Sequence, residues 1–513
     1  MAVPRPTQLR SSPIRDLAAL VGADDPASEV AVTGVTLDSR AVLPGDLYAA
    51  LPGAHAHGAD FAGQAASAGA VAVLTDRAGV GRMSAAGLVA LPAVVVEQPR
   101  AVLGAVSAHV LGTEHLGLRL VGITGTNGKT TTAYLVHSAL TALGRRPGLI
   151  GTVETRIGED RLDSVRTTPE APELHAVLAV MAERGLDTCV MEVSSHALAQ
   201  HRVDGVVYDV ALFTNLSQDH LDFHHDMDAY FAAKASLFTT ERARQGLVCV
   251  DDEWGRRLVE HSAIPVSTIG VAADADWHIG VDGADPASFL LTGPGVDLHL
   301  RSRLPGDFNV TNTAMAAAAL VLLGEDAGSV GEAVLTDPHV PGRMEAVAVP
   351  GGVEAPRAVV DYAHTPEAIR AALGALRPTT PGSLVVVSGA GGDRDRDKRH
   401  AMGVAAAEIA DLVVVTDDNP RSEDPAAIRA AILEGVQAVR SGGRHVEVLV
   451  VGERRAAIRA AVDAVWAEGS AATVAVVGKG HESGQDVGGV VHPFDDRDEL
   501  AQALRLAAGE GAA

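Results

Sequence analysis

The stretch LRLVGITGTNGKTTT at residues 118–132 constrains the fold of this chain more than any other segment. Its first half is rich in branched apolar side chains, which is typical of a buried parallel strand. Gly125 and Gly128 then allow the backbone to curl with its N–H groups pointing inward. Thr130–Thr132 open a helix whose free N–H groups and dipole attract phosphate. The segment therefore predicts a phosphate-binding loop between a strand and a helix.

The residues of the turn indicate what such a loop would bind. Lys129 can reach the outer phosphates of a nucleotide, and the Thr130 hydroxyl can ligate Mg²⁺. The usual phosphate loop carries a glycine at the position of Ile123, whereas this chain has Gly122 one place earlier. An ordinary glycine-rich turn would rarely produce Gly-Lys-Thr-Thr after an apolar strand. We therefore predict nucleotide binding by a phosphate loop of unusual spacing.

Composition argues against several other classes of protein. Hydrophobic residues make up 47% of the 513 residues and aromatic residues only 3%, so the cores must rely on alanine, valine and leucine. The formal net charge of −24 argues against nucleic-acid partners and anionic membrane surfaces, because both need clustered cations. The longest apolar run, Ala314–Leu323, is too short to span a bilayer, so we expect no membrane insertion.

The two cysteines, Cys189 and Cys249, each lie in an apolar segment that favours core packing. They imply no disulfide framework, which suits a reducing compartment. The first residues lack the apolar core and cleavage pattern of a signal peptide. We therefore expect a cytoplasmic protein.

The length suggests about three domains, and the expected fold class is α/β throughout. Residues 1–115 alternate short apolar runs with turns and predict a small α/β domain, in which VTGVTLDSRAVLPGDLYAAL forms two strands around a Pro-Gly turn. Residues 116–345 begin with the phosphate loop and predict a central, parallel-sheet ATP-binding domain. Strand and helix patterns alternate regularly in residues 346–513, which predicts a Rossmann-like doubly wound domain.

Polar clusters follow four predicted strands of the last domain. They are Asp361 with His364, GAGGDRDRDKR at 389–399, Asp417–Arg421, and Gly478–Glu482. Any one could be only a solvated loop, but ligands of doubly wound sheets bind beyond the carboxyl ends of the strands. We therefore interpret the four clusters as one site. Arg394 and Arg421 suit a carboxylate and Glu482 suits an ammonium group, so this site predicts an amino-acid substrate.

The central domain carries a second polar group. Glu192 ends an apolar strand, and His220 lies in the crowded segment DHLDFHHD, so both are candidate Mg²⁺ ligands near a triphosphate. For Asp222, His225 and Asp226 we favour a solvated loop. Lys234 lies in a helical pattern, where a lysine is by itself more typical of a surface than of a site.

Twelve short motifs follow one another along the chain. They are GTNGKTT, TTPE at 167–170, EVSSHAL at 192–198, NLSQDHLDFH at 215–224, Lys234, PGDFNVTN at 305–312, PGRME at 341–345, DYAHTP, GGDRDRDKR, DNPR, GKGHE and HPFDDR at 492–497. Taken in this order, they resemble the motifs of the Mur ligases of peptidoglycan synthesis. The resemblance covers nearly the whole chain, from about Asp38 to Arg497.

The resemblance implies roles for the matching residues. ATP would be bound by Gly125, Thr126, Asn127, Gly128, Lys129, Thr130, Thr131, Asn309, Arg343 and Asp361. A UDP-linked substrate would be bound by Leu37, Ser39, Ala54, His55, Ala56, Thr167, Thr168, Ser194, Gln200 and Arg202. The incoming amino acid would be bound by Arg394, Asp418, Asn419, Pro420, Arg421, Gly478 and Glu482.

The resemblance also changes the interpretation of Lys234, which matches the carbamylated lysine (N6-carboxylysine) of the family. Carbon dioxide on a neutral lysine makes a long carboxylate that can hold Mg²⁺. The implied metal ligands are Thr130, Glu192, His220 and the Lys234 carbamate, and the implied catalytic residues are Lys129, Glu192, His220 and Lys234.

The resemblance is strongest to members that add the third residue of the stem peptide to UDP-N-acetylmuramoyl-L-alanyl-D-glutamate. In these members the sequence DNPR, here 418–421, is associated with meso-diaminopimelate. The implied reaction uses ATP and Mg²⁺, passes through an acyl phosphate, and needs rigid-body closure of residues 346–513. We expect a monomer.

Two departures and several alternatives stand beside this interpretation. Ala390 lies where we expect a cysteine or a similar residue, and AHAHG at 54–58 differs from the usual polar turn. The alternatives are the same ligation with L-lysine, a ligase like folylpolyglutamate synthetase, a regulatory nucleotide switch, and an inactive scaffold that binds a nucleotide sugar.

Overall fold

Four short parallel strands form the centre of the N-terminal domain in the computed structural model, which describes residues 4–283, 285–348, 354–393 and 395–509. The domain's elements are β1 (Ser12–Pro13), α1 (Ile14–Leu20), β2 (Ala31–Val32), β3 (Gly34–Thr36), β4 (Asp46–Ala49), α2 (Ala62–Ala68), β5 (Ala72–Thr75), α3 (Arg77–Ala85), β6 (Ala93–Val95) and α4 (Pro99–Leu111). The predicted pair of strands around Pro44-Gly45 is β3 and β4, which lie side by side in parallel.

The central domain is built on an eleven-stranded sheet. Its first elements are β7 (Arg119–Thr124), α5 (Lys129–Ala142), β8 (Pro147–Ile150), β9 (Glu154–Ile157), β10 (Asp160–Asp163), α6 (Ala171–Glu183), β11 (Thr188–Glu192), α7 (Ser195–Ala199), β12 (Val210–Phe213), α8 (Leu221–His224) and α9 (Met227–Ala235). They continue with β13 (Gly246–Cys249), α10 (Glu253–His261), β14 (Val266–Gly270), β15 (Trp277–Val281), β16 (Ser288–Gly293), β17 (Val296–Arg301), α11 (Asp307–Leu322) and α12 (Ala327–Ala333).

The strand order of this sheet is β10-β9-β8-β11-β7-β12-β13-β14-β15-β16-β17. The seven strands from β8 to β15 in this order are parallel, and antiparallel strands extend the sheet at both ends. Both faces are buried by apolar side chains, and the alanines of α11 let it pack closely on one of them. β7 lies between β11 and β12, so the phosphate loop that follows it lies beside the ends of both neighbours.

The C-terminal domain has a six-stranded sheet of order β18-β19-β23-β20-β21-β22. Its elements are β18 (Glu345–Ala346), β19 (Arg357–Asp361), α13 (Pro366–Leu376), β20 (Leu384–Ser388), α14 (Lys398–Ile409), β21 (Leu412–Val415), α15 (Pro425–Ser441), β22 (Glu447–Val450), α16 (Arg454–Val465), β23 (Thr473–Val477), β24 (Gly484–Val487), β25 (Val490–Pro493) and α17 (Asp496–Ala507).

Five of these strands are parallel, whereas β18 is antiparallel and β24 and β25 form a separate hairpin. Valine, leucine and alanine fill the core on both faces of the sheet, as the low aromatic content requires. Among the described residues, no helix is both long and apolar enough to cross a membrane. The four polar clusters follow β19, β20, β21 and β23, which are parallel neighbours and so end at one edge.

Candidate active site

The phosphate loop joins β7 to α5, and its two glycines adopt backbone conformations that other residues rarely reach. Gly125 has φ +148° and Gly128 has φ +87°. A β-carbon at Gly125 would collide with the Thr214 hydroxyl, and one at Gly128 would lie 2.6 Å from Asn312 Oδ1. Both positions therefore require glycine, because of space as well as φ.

Lys129, the first residue of α5, folds back over this loop. Its Nζ donates to the carbonyl oxygens of Gly125 at 2.9 Å and Thr126 at 2.8 Å. Burial lowers the pKa of Lys129, while the nearby Glu192 carboxylate raises it. The ammonium group is therefore held at the mouth of the loop, where the outer phosphates of a nucleotide would lie.

Glu192, at the end of β11, is a buried carboxylate that touches the loop directly. Thr130 Oγ1 donates to Glu192 Oε2 at 2.9 Å. Thr152 donates to the same carboxylate twice, from its N–H to Oε1 at 2.8 Å and from its hydroxyl to Oε2 at 3.0 Å. Only 1% of Glu192 is exposed. A hydroxyl and a carboxylate thus lie side by side at the loop, which suits a cation bound to phosphate oxygens.

His220 and Asp219 lie close enough to Lys129 to interact with its charge. His220 adopts φ +55°, and its Nε2 is 3.6 Å from Asp219 Oδ2. Burial lowers the pKa of His220 to about 3, although Asp219 acts in the opposite direction. The imidazole is therefore neutral near pH 7 and can act as a metal ligand.

Lys234 is buried, so the interpretation of this residue as a surface lysine is wrong. Only 1% of it is exposed, because α9 packs the face that carries Lys234 against the phosphate loop. Its Nζ donates to the Gly125 carbonyl at 2.7 Å and lies 4.6 Å from the centre of the Tyr230 ring. Burial and the charge of Lys129 hold the pKa of Lys234 well below its usual value. A neutral amine is the form that reacts with carbon dioxide.

No cluster of three His, Cys, Asp or Glu side chains in the described part of the chain forms a complete metal site. Mg²⁺ commonly uses one or two protein carboxylates together with substrate phosphates and water. Thr130, Glu192 and His220 fit such a site. A carbamate on Lys234 would add a second carboxylate. Asp222, His225 and Asp226 are exposed, and Asp226 caps α9.

Asn309, a predicted nucleotide residue outside the loop, is buried. Asn309 Nδ2 donates to the Pro305 carbonyl at 2.7 Å, and its Oδ1 accepts from Asn312 Nδ2 at 3.1 Å. Asn312 Oδ1 in turn accepts from Thr132 Oγ1 at 3.3 Å. Sequence reasoning missed Asn312, although its place in PGDFNVTN, three residues after Asn309, could have suggested it.

Arg343 and Asp361 lie where the linker meets the C-terminal domain. Arg343 Nη2 donates to Thr130 Oγ1 at 3.0 Å, so the linker reaches the phosphate loop. Asp361 accepts from the N–H groups of Met344 at 2.7 Å and Ala363 at 2.8 Å. Burial raises the pKa of Asp361, against the effects of Arg343 and these hydrogen bonds.

A cavity of about 850 Å³ opens between the N-terminal and central domains. Of the residues predicted to bind the UDP-linked substrate, Leu37, Ser39 and Ala56 line it, whereas Ala54 and His55 do not. Arg40, Arg100 and Arg166 also line it and supply cationic side chains that sequence reasoning missed.

The other predicted substrate residues lie between this cavity and Glu192. Thr152 Oγ1 donates to Thr167 Oγ1 at 3.1 Å, and Thr168 Oγ1 donates to the Glu192 carbonyl at 2.9 Å. Ser194 caps α7. Arg202 donates to Gln200 Oε1 at 2.6 Å and pairs with Glu170 at 2.9 Å.

The predicted amino-acid site is a connected polar group at the edge of the C-terminal sheet. Glu482 Oε2 accepts from Asn419 Nδ2 at 2.8 Å and from Lys479 Nζ at 3.0 Å. Lys479 also donates to Asn419 Oδ1 at 3.1 Å and is fully buried. A β-carbon at Gly478 would lie 2.6 Å from Asp418 Oδ2, so Asp418 lies against this loop. Buried, paired groups of this kind discriminate strongly among polar ligands.

Arg421 follows Pro420 in a strained conformation, with φ +50°. Two hydrogen bonds to the β24–β25 hairpin hold it there, from Arg421 N to the Asp486 carbonyl at 3.0 Å and from Gly488 N to the Arg421 carbonyl at 2.8 Å. Its guanidinium donates to the Gly392 carbonyl at 2.6 Å. Strain of this kind is found where a side chain must be aimed. Arg394, the second predicted arginine, lies outside the described residues.

The residues around the phosphate loop and the polar residues at the edge of the C-terminal sheet face each other across the domain boundary. Lys398 Nζ and His364 Nε2 of the C-terminal domain lie 3.4 and 3.7 Å from the Asp219 carboxylate of the central domain. The phosphate loop and the predicted amino-acid site are therefore part of one cleft. Lys398 and Thr152 are not among the site residues predicted from the sequence.

Comparisons with known proteins agree with this architecture. The family models for the Mur ligase family catalytic domain, the Mur ligase middle domain and the Mur ligase glutamate ligase domain match residues 31–110, 123–320 and 342–480. A UDP-N-acetylmuramoyl-L-alanyl-D-glutamate–2,6-diaminopimelate ligase of Streptomyces avermitilis is 51% identical over 511 residues, which cover 99% of both chains.

Solved structures show the same fold. A structure of a UDP-N-acetylmuramoyl-L-alanyl-D-glutamate–2,6-diaminopimelate ligase aligns with TM-score 0.66 and 29% identity, covering 98% of this chain and 100% of that one. MurF ligase from Thermotoga maritima in complex with ADP aligns with TM-score 0.61 and 18% identity, covering 93% and 98%. The predicted three-domain α/β architecture is confirmed.

Proposed function

This chain belongs to the Mur ligase family, and we propose that it is the ligase that joins meso-diaminopimelate to UDP-N-acetylmuramoyl-L-alanyl-D-glutamate at the expense of ATP. The observation that carries this proposal is the full-length relative, 51% identical, that is named for this reaction. The cleft supports it, because it brings the phosphate loop close to the residues that we predict to bind the amino acid.

The chemistry that we propose has two steps. An oxygen of the D-glutamate γ-carboxylate attacks the γ-phosphorus of ATP, the bond to the β-phosphate oxygen breaks, and ADP leaves. An amine of diaminopimelate then attacks the acyl carbon and loses a proton, and inorganic phosphate leaves. The protein contributes mainly position and charge, as in other phosphoryl transfers.

In the first step Lys129 would turn from the carbonyl oxygens of Gly125 and Thr126 to the outer phosphates. Arg343, which already contacts Thr130, lies where it can hold the same phosphates. Thr130, Glu192, His220 and a carbamate on Lys234 would hold Mg²⁺, which when bound neutralises charge that develops on the phosphate oxygens.

In the second step the C-terminal domain would present the amine. Arg421, with Arg394, would pair with the distal carboxylate of diaminopimelate, and Glu482 would accept from its ammonium group. Lysine lacks that distal carboxylate, so its binding would leave arginines unpaired. A site with this requirement should reject lysine strongly.

All of these groups come from one chain, so we propose that the enzyme acts as a monomer. Both cysteines are free and buried, which suits the reducing cytoplasm where we propose that it works.

One assay tests the proposal. ADP release is measured with UDP-N-acetylmuramoyl-L-alanyl-D-glutamate and either meso-diaminopimelate, L-lysine or no amino acid. We expect release that depends on diaminopimelate. Release that needs no amine would contradict the ligase, and equal use of lysine would contradict the role of Arg421. Activity with a folate substrate in place of the UDP-linked one would favour a ligase like folylpolyglutamate synthetase.

A further inference from the structure

The linker Pro341–Glu345 lies between the phosphate loop and the loop that carries Glu482. On one side, Arg343 donates to the Thr130 hydroxyl at 3.0 Å. On the other, Gly342, with φ +63°, packs so closely on the peptide between Gly480 and His481 that a β-carbon would collide with it. A movement of either loop must therefore displace the linker.

Tyr362 makes the second connection between the same two loops. The Arg343 guanidinium lies 4.5 Å from the centre of the Tyr362 ring, which is the geometry of a cation–π contact. The His481 ring lies 5.1 Å from the Tyr362 ring at an interplanar angle of 38°. The tyrosine ring thus lies between the arginine that contacts the phosphate loop and the histidine that precedes Glu482.

His481 also reaches the central domain. The main chain of Thr152 lies close enough to the His481 ring to act on its pKa, which it raises against the larger, opposite effect of burial. Thr152 in turn donates twice to Glu192, and Glu192 accepts from Thr130. The contacts therefore form a circuit that runs from Thr130 through Arg343 and Tyr362 to His481. Thr152, which holds Glu192, lies near its far end.

One member of this circuit is joined to the amino-acid site by the chain itself. Glu482 follows His481 and is held by Asn419 at 2.8 Å and by Lys479 at 3.0 Å. A ligand ammonium group that attracts the Glu482 carboxylate would shift His481. The Tyr362 ring, which contacts both His481 and the Arg343 guanidinium, would shift with it.

We propose that Tyr362 and His481 are positioning residues that hold the Arg343 guanidinium on the phosphate loop and couple the amino-acid site to nucleotide binding. This inference rests on the proposed function, because it takes the occupant of the Glu482 loop to be the amino-acid substrate. By linkage, an amino acid that tightens nucleotide binding through this circuit must itself be bound more tightly when nucleotide is present.

Calorimetry tests the coupling without turnover. The Kd of a non-hydrolysable ATP analogue is measured on the full chain with Mg²⁺ and saturating UDP-N-acetylmuramoyl-L-alanyl-D-glutamate, with and without meso-diaminopimelate. We expect diaminopimelate to tighten nucleotide binding by about tenfold, which is an ordinary coupling between sites. In Tyr362→Leu and in His481→Asn we expect this factor to fall below about twofold.

Two controls separate positioning from a general loss of structure. Tyr362→Phe keeps the ring and should keep the coupling, and His492→Asn changes an exposed histidine of the same domain and should also keep it. Melting curves identify a variant that fails to fold. If Tyr362→Leu or His481→Asn fails in this way, the coupling measured in the other of the two tests the inference.

The outcomes are distinguishable. Full coupling in folded Tyr362→Leu or His481→Asn would overturn the inference, as would equal loss of coupling in Tyr362→Phe. The absence of any coupling in the unmodified chain would also overturn it, although ligase activity could persist. Failure of the unmodified chain to bind diaminopimelate at all would contradict the proposed function, and the inference with it.

Discussion

Lys398 Nζ of the C-terminal domain lies 3.4 Å from Asp219 Oδ1 of the central domain, and both side chains are largely buried. Burial acts to raise the pKa of Asp219, but the His364 imidazole, 3.7 Å away, and the charges of His220 and Lys398 hold it well below its usual value. The Asp219 carboxylate therefore draws the two domains together at the side of the cleft where the predicted metal ligands lie.

We expect Lys398→Gln to weaken closure of the C-terminal domain. A hydrogen bond between charged groups is worth about 1.5–3 kcal/mol, so the ratio of closed to open molecules should fall roughly tenfold or more. Small-angle scattering with nucleotide and UDP-linked substrate should show a larger radius of gyration, and kcat should fall with it. Lys398→Arg keeps the charge, so its radius of gyration and its kcat should be closer to those of the unmodified enzyme. Identical scattering with and without ligands in the unmodified chain would contradict the closure itself.

We expect Lys234 to carry a carbamate at neutral pH, because its lowered pKa favours the neutral amine, the form that reacts with carbon dioxide. A ¹³C resonance from labelled bicarbonate should appear in the unmodified chain and be missing from Lys234→Gln. Loss of a metal ligand should lower kcat by at least about a hundredfold. A spectrum without the carbamate resonance in fully active enzyme would exclude this role for Lys234.

We expect Arg421→Ala to impair the use of diaminopimelate selectively. The loss of a charged hydrogen bond should lower kcat/KM for diaminopimelate by about a hundredfold. The ratio of kcat/KM for diaminopimelate to kcat/KM for lysine should fall as well. Nucleotide affinity should be unchanged, since Arg421 lies in the C-terminal domain beside Gly392. Arg440→Ala removes an exposed arginine of α15 and serves as the control. A similar loss with both amino acids would mean that Arg421 does not read the distal carboxylate.

Arg454 and Asp496 form a fully buried ion pair behind the Glu482 loop, with both side chains 0% exposed. Arg454 also donates to the Val477 carbonyl at 3.0 Å, at the end of β23. We expect Arg454→Met to lower the free energy of unfolding by about 3–5 kcal/mol, because it leaves a buried carboxylate unpaired. Denaturant unfolding measures this, and Arg454→Met with Asp496→Leu should recover part of the loss. If Arg454→Met alone were as stable as the unmodified chain, this expectation would be contradicted.

His175 should make the chain less stable in acid. Its Nδ1 lies 2.6 Å from Thr113 Oγ1 and its Nε2 lies 3.1 Å from the Asp204 carbonyl, so the neutral ring is satisfied on both sides. Burial lowers the pKa of His175 to about 4 from 6.5. Below pH 6.5 the unfolded chain takes up a proton that the folded chain refuses, so stability is lost as the pH falls from 6.5 to about 4.

Across this pH range we expect His175 to lower the free energy of unfolding by about 3 kcal/mol. Denaturant unfolding at several pH values gives the free energy of unfolding as a function of pH. The slope of this free energy against pH should be shallower in His175→Gln than in the unmodified chain. His400→Gln changes an exposed histidine and should leave the slope as it is. An equally steep slope in His175→Gln would assign the acid sensitivity to other groups.

The phosphate loop could be predicted from sequence because its determinants are local. Strand, turn and helix start are contiguous, so the motif shows itself in one stretch of sequence. The contacts that require glycine there come from farther away, from Thr214 after β12 and from Asn312 of α11. The polar edge of the C-terminal domain was predictable for a related reason, since parallel strands bring their ends together whatever their separation in the chain.

The rest depended on tertiary packing. Lys234 lies on a short helix whose pattern does not reveal which face is buried, and only the contact with Gly125 does so. Asp219 and Lys398 are 179 residues apart, and their meeting depends on the relative placement of two domains. Asn312 belongs to an alanine-rich helix, where one amide gives little signal of its own.

The position of β23 in the C-terminal sheet has a consequence for biosynthesis. It pairs with β19 on one side and β20 on the other, yet it is the last strand of that sheet to be translated. Until residues 473–477 have left the ribosome, β19 and β20 face each other across a gap with unpaired backbone edges. The nascent domain is thus exposed to misassociation for most of its synthesis, and a chain truncated before β23 should aggregate rather than fold.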